Sequence, residues 1–179
     1  QKEHAANALW FLGYDNDMAG SDIPTLVSLV GLAWTTERKK TNAAIVLGIY
    51  TNFETNEAIV AAGGIPSLVA LVRDGTELQK KIAVDALMML AALDSRREEM
   101  ADAGAIPLLV ALVRDGTEKQ KEDAAELLRD LAFNDDLKVA IADAGAIPPL
   151  VALVRDGTKG QKVWAAAALG DLAKDDANR

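Results

Sequence analysis

The side chains in this chain with the reach to do chemistry are carboxylates, and they recur at helical intervals. Asp123, Glu126 and Asp130 stand three and four residues apart, as do Ile82, Asp85 and Met89, and then Trp164, Ala167 and Asp171. That interval sets side chains on one face of a helix. An ionised carboxylate only accepts hydrogen bonds, so such a face suits a backbone N–H or a Lys or Arg side chain. Catalysis is poorly provided for. His4 is the only histidine and cysteine is absent, which leaves no triad, thiolate or histidine metal site to assemble. No Walker-type or Gly-x-Gly-x-x-Gly loop is present, and a groove between helices is too shallow to be the dry pocket that shifts carboxylates for acid–base work. The expectation is a non-enzyme without cofactor or metal.

The elements that position these faces are repeated. Ile65-Pro66, Ile106-Pro107 and Ile147-Pro148 stand 41 residues apart, with a looser copy at Ile23-Pro24, 42 residues before the first of them. A period near 40 signals a solenoid of helical repeats. Within the copy at residues 106–132, Leu108, Leu109, Ala111, Leu112 and Val113 form a short apolar helix that stops at Asp115-Gly116, where glycine is expected to take the left-handed turn that closes a helix. Thr117 then opens a longer helix, and Gln120 three residues on completes a capping box, as Gln79 does for Thr76 and Gln161 for Thr158. Ala124, Leu128 and Leu131, like Ala83, Leu87 and Leu90, give that helix one apolar stripe. A third, shorter helix begins at residues 95–98 and stops at Asp102-Ala103-Gly104-Ala105, before Pro107 sets the next first turn.

Three helices per roughly 41-residue repeat, with a glycine turn into Ile-Pro and a long third helix, resemble the armadillo repeat. Residues 103–110 and 144–151 look like that family's junction between helices 1 and 2; HEAT repeats, with two helices per unit, fit less well. The resemblance implies an all-α fold, a right-handed α-solenoid. It divides a single domain, 1–179, into the third helix of a truncated repeat (1–14), an irregular repeat (15–53), two regular repeats (54–94 and 95–134) and a last repeat with a severed end (135–179). The irregular part has a first helix shortened by five residues and two extra residues between Gly31 and Thr36.

In the resembling family the third helices line a concave groove, where an asparagine ladder grips the backbone of an extended peptide. Here the ladder positions carry Phe11, Ile49, Met89, Asp130 and Asp171, and the positions one turn earlier carry Asn7, Ile45, Asp85, Glu126 and Ala167. The ladder is absent. The implied groove comprises Phe11, Ile45, Ile49, Ile82, Asp85, Met89, Asp123, Glu126, Asp130, Trp164 and Asp171, apolar toward its N-terminal half and acidic toward its C-terminal half. Its expected partner is a protein or peptide segment with aliphatic residues at one end and Lys or Arg at the other. Against this stands a plainer reading, in which Ile45, Ile49 and Ile82 are core, the acids a solvated face and Trp164 packing. The chain is then an architectural or engineered repeat scaffold without a dedicated ligand.

Composition bounds the partners further. The net charge is −8 and the 19 Lys and Arg are scattered, so the chain lacks the basic stripe that nucleic acid requires. No apolar run reaches the length of a membrane span, and without cysteines or a signal sequence the expected location is cytoplasmic, with the nucleus also compatible. Repeats severed at both ends would expose stacking faces, which favours self-association.

Overall fold

In the computed structural model, the structure describes residues 23–31, 41, 43–45 and 56–174. Their contacts gather into two compact units, Gln1–Leu90 and Ala91–Arg179. Among the described residues there is no strand.

The first unit contains α1 (Ile23–Gly31), α2 (Asn56–Ala61), α3 (Gly64–Asp74) and α4 (Glu77–Leu90). Thr41 and residues 43–45 are also helical. Its core joins Leu26, Val27 and Val30 of α1 to Ile59, Ile65, Leu68 and Leu87. The second unit contains α5 (Asp94–Asp102), α6 (Ala105–Asp115), α7 (Glu118–Leu131), α8 (Asp135–Asp143), α9 (Ile147–Asp156) and α10 (Lys159–Leu172). The two long helices α7 and α10 lie side by side, and α6 and α9 pack behind them. Short, medium and long helices thus recur in the order expected: 9, 11 and 14 residues for α5 to α7, and 9, 10 and 14 for α8 to α10. The first two helices of the last repeat meet at 84°. Among the described residues no single helix is long and apolar enough to cross a membrane.

The apolar stripes behave as their spacing requires, since Ala83, Leu87 and Leu90 in α4 and Ala124, Leu128 and Leu131 in α7 are all buried. The capping boxes form as well. Thr117 and Thr158 each accept from the backbone N–H of Gln120 and Gln161 and are bonded back by those side chains, and the Thr76 N–H donates to Gln79 Oε1 at 2.9 Å.

The glycines exchange the roles read from the sequence. Gly116 does not take a left-handed turn: its φ is −70° and its ψ 172°, an extended conformation open to any residue. Glycine is needed there for space, because a Cβ would stand 2.5 Å from the Leu112 carbonyl and 3.0 Å from Gln120 Cβ. The left-handed positions are Gly63, Gly104 and Gly145, with φ of 77°, 84° and 79°, at the turn between first and second helices. The short helix must reverse within two or three residues at that turn, and only glycine adopts this φ without cost.

One consequence of stacking shows in the second unit. Val110 and Val151 are the same residue of the repeat, yet Val110 is 6% exposed and Val151 49%. Val110 is on α6, which packs against α9 of the next repeat.

Candidate functional site

The outward face of the third helix is built on an α-helical register that buries Ala124, Leu127, Leu128 and Leu131. This leaves Lys119, Glu122, Glu126, Arg129 and Asp130 at least partly open, with Phe133 just past the helix end. Of the sequence-read acids on this face and its equivalents in α4 and α10, most are already paired with a cation close by in the chain. Lys119 Nζ sits 2.7 Å from Asp123 Oδ1 and 3.2 Å from Glu122 Oε1, and the hydrogen bond to Asp123 in particular pushes the ammonium well above the ordinary lysine range. Asp123 itself is buried, so its carboxylate answers Lys119 and does not present itself to a ligand as expected. Asp85 pairs with Lys81 at 2.6 Å, and Asp171 pairs with Lys174.

Asp130 is held by Arg129, whose Nη2 lies 3.1 Å from Asp130 Oδ1. The guanidinium also stacks between two rings, 5.0 Å from the Phe133 centroid and 5.0 Å from that of Trp164 on α10. Arg97 also stands over the Phe133 ring, 5.7 Å from its centroid. Arg97 is anchored by the Ala91 carbonyl at 2.8 Å and by Asp94. Burial pushes the Asp130 carboxyl above the usual carboxylate range, with Arg129 and Arg97 opposing it. Glu126 is raised too, first by burial and then by the charges of Asp130 and Asp123, against the pull of Arg129 and Lys119.

Trp164 therefore joins α10 to the acidic face of α7 through Arg129, a residue the sequence reading passed over. So were Phe133, Arg97 and Lys119. The i−4 lysines before Asp85 and Asp123 are a signal that helix charge patterning carries; the Arg129–Trp164 stack spans repeats and has no such local signature.

In the first unit, Ile45 is only 7% exposed and packs in the core, so it takes the packing role and not a groove role. Buried on the same helical segment are Ala43 and Ala44. Ile82 and Asp85 are half-buried on α4, and Met89 is 57% exposed. Phe11 and Ile49 lie outside the described residues, as do the shortened first helix and the residues between 32 and 40.

No protein-family model matches the sequence, and no curated protein does. Solved structures do resemble it. A designed armadillo repeat protein superposes with a TM-score of 0.81 at 26% identity, over 99% of this chain and 75% of its own. Computationally designed armadillo repeat proteins for modular peptide recognition give 0.78 at 29% identity, over 87% and 66%. A designed armadillo repeat protein in complex with the peptide (KR)4 gives 0.80 at 24% identity, over 88% and 67%.

Proposed function

Given that the chain has an armadillo-like repeat fold, an all-α solenoid, we propose that it is a protein-interaction scaffold that binds an extended, cation-bearing peptide along its third helices and performs no catalysis. The observation that carries this reading is Glu126. It lies half-buried between Asp123 and Asp130, and its carboxyl is held above the ordinary range by burial and by those two charges. Asp123 and Asp130 each have a cation within 3.1 Å, while Glu126 sits in the same acidic stretch without a close ion pair. A ligand Lys or Arg would offset both its burial and its repulsion. Further support comes from the similar designed proteins described as made for modular peptide recognition.

The aliphatic preference expected for the N-terminal half is narrower than the sequence implied, since Ile45 is core and, of the expected groove residues on α4, Met89 is the exposed apolar one. The cationic preference therefore dominates. A scaffold without a dedicated ligand is the second reading, favoured by the internal pairing of Asp85, Asp123, Asp130 and Asp171.

The test is a titration of fluorescein-labelled peptides, one alternating Lys and Arg and one alternating Glu and Asp, by fluorescence anisotropy. The cationic peptide should bind, weaken with added salt, and lose several-fold in affinity in Glu126→Gln. Absence of binding for both peptides at millimolar protein would replace this reading with the ligand-free scaffold.

A further inference from the structure

We propose that Arg129 is a built-in occupant of the cation slot on this face, and that position 129 thereby sets how tightly the site accepts a ligand arginine or lysine. The inference rests on the peptide-binding reading above. Two aromatic walls and a carboxylate are the surroundings a guanidinium seeks. Here Phe133 and Trp164 supply the walls, each 5.0 Å from the Arg129 guanidinium, and Asp130 supplies the carboxylate. The chain has filled that slot with its own side chain.

The two arginines on Phe133 are held differently. Arg97 is tied to the Ala91 and Ala92 carbonyls as well as to Asp94, so it backs the ring as a fixed part of the fold. For Arg129 the polar attachment is the ion pair with Asp130, a neighbour on the same helix, and the rest is stacking. It can therefore swing out at the loss of contacts that an incoming guanidinium would remake. The device belongs to one repeat only. The positions 41 residues before and after Arg129 are Met88 and Gly170, neither of which carries a charge.

Because Arg129 is tethered beside the slot, it competes at the high effective concentration of an intramolecular ligand. A peptide sees only the fraction of molecules in which the slot is empty, and its apparent affinity falls by that fraction. Removing Arg129 leaves Phe133, Trp164, Asp130 and Glu126 around an open slot.

The experiment titrates full-length wild type, Arg129→Ala and the double variant Arg129→Ala/Asp130→Asn with a labelled octapeptide of alternating Lys and Arg, after circular dichroism has established equal helicity. Arg129→Ala should bind about tenfold more tightly than wild type, and the double variant should lose the gain. Tight binding by Arg129→Ala, with wild-type binding seen only near millimolar protein, also supports the occupant role. Wild-type binding as tight as or tighter than that of Arg129→Ala would overturn it, making Arg129 a wall or a direct contact and leaving the peptide reading intact. Binding by neither protein would remove the peptide reading itself and this inference with it. Should Arg129→Ala fold poorly, the wild-type Arg129 Nε–H resonance gives the answer: it lies between two rings and should move toward its unstacked position as peptide is added. A peptide that binds and leaves that resonance unmoved would overturn the proposal.

Discussion

The side-chain amide of Gln161 joins two repeats: its Oε1 accepts from the Thr158 N–H at 3.0 Å, while its Nε2 donates to the Glu118 carbonyl at 2.7 Å. Gln79 does the same in the first unit, accepting from the Thr76 N–H at 2.9 Å and donating to Thr41 Oγ1 at 2.8 Å. The capping residue of one long helix is thus the clamp on a helix earlier in the chain. Both glutamines are buried, which raises the cost of losing either bond.

Gln161→Glu keeps the acceptor for the cap but places a carboxylate against the Glu118 carbonyl in place of a donor. It should destabilise the chain by roughly 1–3 kcal/mol in urea titrations near neutral pH, the cost of an unsatisfied buried polar group. The loss should shrink on acidification, as the protonated acid regains an O–H to donate. A variant as stable as wild type would mean the clamp contributes nothing.

Core truncation should follow stacking and not sequence. Leu87→Ala and Leu128→Ala, at fully buried positions, should each cost about 2–5 kcal/mol. Val110→Ala and Val151→Ala remove the same atoms from closely similar local sequences, yet the first should cost clearly more, because Val151 is half exposed. Thermal denaturation of the pair isolates the contribution of the covering repeat, and equal losses would contradict it.

The two classes of glycine should fail in different ways. Gly104 has φ of 84° with open space where a Cβ would go, so Gly104→Ala should cost about 1–2 kcal/mol in backbone strain, and Gly104→Asn less. Gly116→Ala instead drives a methyl toward the Leu112 carbonyl at 2.5 Å, and asparagine should bring no relief there. Stability measurements on the four variants separate the two causes.

Glu126 and Asp130 set a pH dependence of stability. Their folded-state carboxyls titrate above the unfolded ones, so between the two values the native chain holds more protons than the unfolded chain. Stability contributed by these groups therefore falls as pH rises from the ordinary carboxylate range through the raised native values, then levels. Glu126→Gln should gain on wild type over that window in urea titrations, with the advantage constant above it. An advantage that appeared only on acidification would reverse the assignment.

The helix order and caps were legible because Thr-x-x-Gln and Ile-Pro return at 41 residues, a local pattern with a local meaning. Glycine roles were not. Asp-Gly-Thr reads as a helix stop, but why Gly116 must be glycine depends on the Leu112 carbonyl and the Gln120 side chain folding back over it. The site divides in the same way. Helical spacing put Glu126 and Asp130 on one partly open face of α7, whereas the pairing of Asp130 with Arg129 and the stack onto Trp164, 35 residues from Arg129, depend on side-chain placement and on which helices lie side by side. Ile45 shares the helical register of the candidate face, and the packing of the first unit is what buries it.

The two clamps differ in what they ask of a neighbour. Gln161 grips a main-chain oxygen of Glu118, which every amino acid offers, so the module before it can be rewritten at that position without losing the joint. Gln79 grips the hydroxyl of Thr41, and that joint accepts only a neighbour with an oxygen at the same place. Repeats cut and recombined at the first kind of joint are interchangeable parts, whereas those at the second are matched pairs, and the difference lies in whether a single amide meets backbone or side chain.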